Sequence, residues 1–550
     1  MIIRLLILSE LFFLLSFNNS AIKPVSETKG PAAYFYRVYF TNKGDAVVSD
    51  YDPEELLSPD ALARREKCGA EVPAITDLPV NHEYIEGVIQ EGLTWRLSSK
   101  WMNTALFTSE TQFDTDKITA LPFVRKVALV KSPPVKAVKR GDKFGVSNDV
   151  APTGTFRPIG PINGMPLLLS GYTGKGVTIA VLDAGFLNAD LIESLGALRL
   201  RLGIIKTHDF VENSSNVYGF HGHGTAVLSI LAGSLDNIIT GTAQGADYML
   251  FRTEDNASEF PVEEDYWVAA AEYADSAGAD IITSSLGYYW FDDPAMNYSF
   301  SNTDGNTAFI TVAADIAASK GILVVASAGN ERNKEWVRIL FPSDGDSVLC
   351  IGAVNQNLTI SDFSSSGFSA DGRVKPDVVA PGVSVPVQYD PGIWRPGSGT
   401  SFSCPVISGM CAALMQATPG ATADDIRKTI RESSDRYDHP DSLYGYGLPD
   451  FVKALKILEE SHTFKPEVTV TAGPNPFVNE INLWFRDSPE RLTVTVTDNT
   501  GKTILKTEYS TYIGRSYAIK GMSAAAQGVY LVKVETAAGA KVFKMIKVKR

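Results

Sequence analysis

Between residues 157 and 462 short apolar runs alternate with helical stretches, and this alternation constrains the fold more than any other feature. The runs 177–183, 249–253, 281–285, 322–326 and 348–354 are nearly continuous in apolar residues. Strands of that kind bury both faces, as the strands of a parallel sheet covered by helices do. Helical patterns fill the intervals at 262–277, 307–320, 403–416, 422–433 and 449–460. The prediction is an α/β domain of about 300 residues built on a parallel sheet.

The flanks read differently. Residues 1–21 have the pattern of a secretory signal: Arg4, a mostly apolar stretch from Leu5 to Phe17, then Asn18, Asn19, Ser20 and Ala21. That stretch is too short to span a bilayer core of about 30 Å. No later stretch reaches eighteen apolar residues, so no transmembrane anchor is expected in the mature protein. Residues 30–135 pattern as a small α+β unit, with strands at 34–40, 104–107 and 124–130 and helices at 59–67 and 84–90. A linker rich in Lys, Pro and Gly, 131–156, follows and is a natural place for a processing cut. Residues 465–550 are strand-rich, with runs at 492–497, 528–534 and 542–548, and read as a small β-sandwich.

Composition removes some functions. The 550 residues carry a formal charge of −13, with a pI near 5.1, so no basic nucleic-acid platform is present. The four cysteines, Cys68, Cys350, Cys404 and Cys411, form no zinc-type pair and are expected as free, buried thiols.

Four segments of the α/β domain carry chemical groups. Asp183 ends an apolar strand, where parallel sheets bind ligands. His223 opens His223-Gly224-Thr225-Ala226 ahead of an apolar helix, with His221 two residues earlier. Asn330 closes Ser327-Ala328-Gly329-Asn330, directly after the strand 322–326. Ser401 lies in Gly399-Thr400-Ser401-Phe402-Ser403, where a glycine-rich approach turns into a helix lined with small residues. Taken singly, each is as ordinary as a helix cap or a turn.

Together, the order Asp, His, Asn, Ser resembles the subtilisin-like peptidases, whose triad runs Asp–His–Ser along the chain. Other segments extend the resemblance: Gly174-Lys175-Gly176-Val177, Ser284-Ser285-Leu286-Gly287, Phe363-Ser364-Ser365-Ser366-Gly367, the run from Lys375 to Gly382, and Gly445-Tyr446-Gly447. Two positions depart from the family pattern, Ala226 where a second His is usual and Phe402 where Met is usual. The resemblance implies a secreted serine endopeptidase with Ser401 as nucleophile, His223 as general base, Asp183 orienting it, and Asn330 with the Ser401 N–H holding the oxyanion. It also implies that Ser285, Leu286 and Gly287 pair with an extended peptide while Ala328 and Gly329 flank the pocket for the residue before the cut. The floor of that pocket is not legible in the sequence.

No cofactor is needed for such chemistry. A structural calcium ion at the loop Asp304-Gly305-Asn306 is the one metal the resemblance suggests. The N-terminal unit resembles an inhibitory pro-segment. Its Ser99-Lys100-Trp101-Met102-Asn103 and Leu121-Pro122-Phe123-Val124 are similar to motifs in precursors from bacteria that use type IX secretion. The C-terminal unit resembles the type IX sorting domain, through Pro474-Asn475-Pro476-Phe477, Gly528-Val529-Tyr530-Leu531-Val532 and Lys544-Met545-Ile546-Lys547-Val548. The expected partners are therefore peptide substrates, the protein's own pro-segment and the secretion machinery. The expected location is outside the cell or on its surface, reached through the periplasm. The rival reading is a surface-binding protein that keeps the scaffold without catalysis. An α/β-hydrolase esterase is excluded, because it needs Gly-x-Ser-x-Gly with the histidine last.

Overall fold

The structure, a computed structural model, describes residues 34–133, 158–235, 238–461, 470–485, 489, 491–510, 516–536 and 539–549. The signal stretch and most of the 131–156 linker lie outside the described residues.

The N-terminal unit is a four-stranded antiparallel sheet of β1 (Tyr34–Phe40), β2 (Thr94–Ser99), β3 (Thr104–Ser109) and β4 (Val124–Lys131), in the order β2-β3-β1-β4. Helices α1 (Pro59–Cys68) and α2 (His82–Gln90) accompany it. Each starts on a side-chain cap: Ser58 Oγ accepts from Ala61 N–H, and Asn81 from Tyr84 N–H.

The α/β domain carries seven parallel strands: β5 (Thr178–Asp183), β6 (Ile204–Asp209), β7 (Asp247–Arg252), β8 (Ile281–Ser284), β9 (Leu323–Ser327), β10 (Leu349–Val354) and β11 (Val378–Pro381). Their order is β11-β10-β9-β8-β5-β7-β6. The chain begins near the middle of the sheet and builds outward in both directions, so the β5 end lies at a switch point where a crevice opens. One face is covered by α3 (His223–Ala232) and α6 (Thr400–Ala417), which share a core with Ile179, Val181, Leu250 and Val325. The other is covered by α4 (Val262–Ala277) and α5 (Phe309–Ser319), over Ala180, Leu182, Ile282 and Val324. Successive strand residues thus feed two separate cores, as the continuous apolar runs require.

The N-terminal sheet docks on α4 and α5 through buried charges and apolar contacts. The Arg37 guanidinium makes a two-pronged pair with Asp265 (2.7 and 2.6 Å) and stands 3.5 Å over the Phe309 ring. Glu272 accepts the Lys100 and Trp101 N–H groups (both 3.0 Å) and the Ser99 hydroxyl. Phe35, Leu106 and Val130 pack with Val211, Phe260, Val262 and Tyr266. From there β4 leads Lys131 to Asp255 (2.7 Å), beyond the end of β7.

Asp77 is the most charged knot of this interface. It takes both prongs of Arg65 (2.6 and 2.9 Å) and the Lys320 ammonium (2.9 Å), while Arg65 also reaches Asp275. Burial pushes the Asp77 carboxyl up, but Arg65 and Lys320 outweigh it and hold it well below the usual carboxylate range. A carboxyl depressed by its folded surroundings contributes stability above its unfolded value, near 3.8, and loses it as the pH falls below that. In the Ser401→Ala precursor, Asp77→Asn should therefore cost about 3–5 kcal/mol at neutral pH, because it breaks a buried network. It should also flatten the fall in melting temperature below about pH 4. Circular dichroism melts across pH check this; parallel acid limbs in the two proteins would refute it.

The C-terminal unit is a sandwich of two sheets. One orders β12 (Val470–Gly473), β13 (Ile481–Phe485) and β16 (Ser516–Ile519). The other orders β15 (Thr503–Tyr509), β14 (Leu492–Asp498), β17 (Gly528–Thr536) and β18 (Gly539–Lys547). Ile481, Leu483, Val494, Val496, Val532 and Met545 fill the space between them. No helix among the described residues is long and apolar enough to cross a membrane.

Candidate active site

Asp183 is the last residue of the central strand β5 and is fully buried. Its Oδ1 accepts the Ala184 N–H (2.7 Å) and stands 2.8 Å from His223 Nδ1. A carboxylate oxygen can only accept here, so Nδ1 carries the proton and the other ring nitrogen, Nε2, is the basic one.

His223 opens α3, every residue of which is buried. The contact with Asp183 depends on Gly224. A Cβ there would lie 2.6 Å from Gly185 O and 2.9 Å from Asp183 Cβ, so only glycine lets the helix start against the strand end. His221 does not take this place; its Nδ1 accepts the His223 N–H (3.1 Å). Ala226 lies in the core beneath, and the Phe402 ring packs 5.9 Å from the His223 ring.

Ser401 is the second residue of α6, the central helix whose small residues let it pack closely. Ser401 Oγ donates to Ser285 O (3.2 Å), and Ser285 Oγ donates back to Ser401 O (2.9 Å). The segment Ser285-Leu286-Gly287 that follows β8 is thereby tied to the helix start. Cys404, one turn further, points into the core, where burial pushes its thiol up to about 11. It stays protonated at neutral pH.

Asn330 follows β9 through Ala328 and Gly329. Its Oδ1 accepts the Thr400 N–H (2.9 Å) and the Thr400 hydroxyl (3.1 Å), and that hydroxyl accepts the Gly329 N–H (3.1 Å). A backbone N–H can only donate, so the amide orientation is forced: oxygen toward Thr400, Nδ2 away from it. The structure thus gathers Asp183 and His223 in direct contact, and Ser401, Asn330 and Ser285 around the start of α6. Thr400, which orients Asn330, escaped the sequence reading; its one signal was its place beside Ser401.

Two acidic groups bear on metals. Asp304 spends its carboxylate on its own loop, accepting from the N–H groups of Asn306 (2.9 Å) and Thr307 (2.8 Å) and from the Thr307 hydroxyl (2.7 Å). Elsewhere, buried Glu254, Glu259 and Glu263 bring ligand oxygens within 4.8 Å of one another, a set able to hold a cation.

Comparison with known proteins agrees with this architecture. The subtilase family model matches residues 174–447. The peptidase S8 propeptide domain of Bacteroidota matches 35–143, and the secretion system C-terminal sorting domain matches 473–549. Subtilisin E of Bacillus subtilis (strain 168) is 30% identical over 53% of this chain and 68% of its own length. Subtilisin of Bacillus pumilus is 30% identical over 53% of this chain and 94% of its own. The crystal structure of MycP1 from Mycobacterium smegmatis is similar over 56% of this chain and 86% of its own, at 22% identity and a TM-score of 0.44. The chain belongs to the subtilase family: it is a subtilisin-like serine peptidase, with a propeptide domain ahead of the catalytic domain and a secretion sorting domain behind it.

Proposed function

We propose that the protein is a secreted endopeptidase that cleaves extended peptides through an acyl-enzyme on Ser401. The observation that carries this reading is the 2.8 Å contact between Asp183 and His223 Nδ1, which leaves the imidazole basic at Nε2. His223 takes the Ser401 proton as Oγ bonds to the substrate carbonyl carbon. The oxyanion that forms is held by the Ser401 N–H and Asn330 Nδ2. His223 then passes the proton to the leaving amine as the C–N bond breaks, and a water molecule repeats the sequence to release the acid. Ser285, Leu286 and Gly287 hold the substrate as an added strand. This chemistry needs no metal or cofactor; a calcium ion at the Asp304-Gly305-Asn306 loop would act on stability alone.

The flanking domains set when and where this happens. Residues 30–135 keep the precursor silent until a cut between about 131 and 156, and residues 465–550 direct export through the periplasm to the surface or beyond. Covalent labelling by a fluorophosphonate probe, followed by mass mapping, tests the reading. Modification at Ser401 is expected; a folded, processed protein that takes up no probe would instead be a binding scaffold.

The forced amide orientation gives a second test. Asn330→Ala removes the side-chain donor to the oxyanion and should lower kcat by about 10²–10³ with KM little changed, a range known from the same kind of substitution in a subtilisin. Steady-state kinetics on a peptide p-nitroanilide read it. A loss below about threefold would remove Asn330 from the oxyanion site.

A further inference from the structure

Between the two segments assigned to substrate, the space is already taken. β8 and β9 are adjacent and in register, Ser284 beside Ala326, and beyond them Ser285-Leu286-Gly287 and Ala328-Gly329-Asn330 form two walls of one slot. Small residues on both walls suggest room for a substrate side chain. The structure puts Leu340 there. A Cβ added to Gly287 would lie 2.7 Å from both Cβ and Cδ1 of Leu340. One added to Gly329 would lie 2.5 Å from Leu340 Cγ and 2.7 Å from Cδ1. The same isobutyl group thus fills the missing side-chain volume of both glycines.

Leu340 is pinned in place by backbone bonds to both walls. Its N–H donates to Ala328 O (3.0 Å), and Phe341 exchanges two bonds with Tyr288 (each 3.1 Å). The back is closed by Ser365, whose N–H donates to Gly329 O (2.9 Å) and whose Oγ accepts from Glu331 N–H (3.0 Å). Neither the leucine backbone nor either wall can move away without losing these bonds. A large substrate side chain entering the slot must displace a packed leucine from a dense interior, which interiors resist.

We propose that Leu340 is the specificity-determining residue of this peptidase: it blocks the slot and restricts cleavage to peptides with a small residue, Gly, Ala or Ser, at the position whose carbonyl is attacked. The proposal rests on the reading of Ser401 as nucleophile and of 285–287 and 328–330 as the substrate walls. Phe, Tyr, Leu and Lys at that position are excluded by volume.

The test uses the full-length chain after its own processing and a set of succinyl-Ala-Ala-Pro-Xaa p-nitroanilides with Xaa Ala, Leu, Phe or Lys. Fluorophosphonate titration counts the active sites. The wild type should favour Ala over Phe in kcat/KM by more than about tenfold, since each excess methylene in a tight pocket weighs about 10–200-fold. Leu340→Ala should reduce or invert that ratio, and Leu340→Val should move it part of the way. Because the ratio compares two substrates on one sample, partial misfolding of a variant leaves it unaffected. If Leu340→Ala yields no active sites, the wild-type ratio and Leu340→Val decide. A wild type that prefers Phe or Lys, or a ratio that neither variant moves, overturns the role of Leu340 while probe uptake keeps Ser401 as nucleophile. No probe uptake and no cleavage of any substrate overturns the underlying reading instead.

Discussion

Ser401→Ala should lower kcat by about 10⁶, the loss known for the equivalent substitution in a subtilisin, and leave the fold intact. The asymmetry follows from what the hydroxyl does. Structurally, Ser401 Oγ gives one bond, to Ser285 O at 3.2 Å, whereas the return bond from Ser285 Oγ ends on the Ser401 backbone and survives the change. One lost hydrogen bond costs about 0.5–1.5 kcal/mol. Chemically, no other group replaces it: Cys404 faces the core with its thiol pushed up to about 11, and Ser403 donates to Thr400 O. The variant should also accumulate as a precursor that still carries residue 40, if the cut between about 131 and 156 is its own work. Peptide hydrolysis and mass spectrometry of the purified chain read both effects. Full turnover in the variant would end the serine mechanism. A correctly cut but inactive variant would assign processing to another peptidase.

The sequence carried the frame of this molecule because buried parallel strands leave an unmixed signal. The stretch 262–277 was legible as a helix and is one, and 34–40 was legible as a strand and is one. The strand Ile204–Asp209 was not, because it lies at the edge of the sheet, where Lys206, Thr207 and His208 interrupt the apolar run. Thr94–Ser99 is equally polar and hid for the same reason. The candidate site residues were legible as four short segments whose order along the chain matched a family. Their couplings were not, since each joins distant parts of the chain: Thr400 to Asn330, Leu340 to Gly287 and Gly329, Arg37 to Asp265. Glycines 287 and 329 show the limit most clearly. As sequence they promise space for a substrate; in the fold that space belongs to a leucine more than ten residues from either.

Asp183→Asn should lower kcat by about 10⁴, as the corresponding change does in another serine peptidase triad, with KM nearly unchanged. Asp183 is buried at the end of β5 behind His223, so its effect should fall on chemistry and not on binding. An ionised carboxylate only accepts, and that fixes the Nδ1–H tautomer of His223 and, in the mechanism we propose, stabilises the imidazolium formed when Ser401 gives up its proton. An asparagine loses both effects. It brings no charge to meet the cation, and an amide that donates to Nδ1 moves the ring proton to Nε2, where it faces the nucleophile and blocks proton transfer. The same Oδ1 also accepts the Ala184 N–H at 2.7 Å, so an amide that turns its nitrogen to the ring gives up that bond as well. Fluorophosphonate labelling should slow in parallel with kcat, since both depend on the same activated serine. A variant that keeps more than a tenth of wild-type kcat would show that His223 is oriented by something other than Asp183. A variant with raised KM and intact kcat would show that the carboxylate serves the substrate cleft instead of the base.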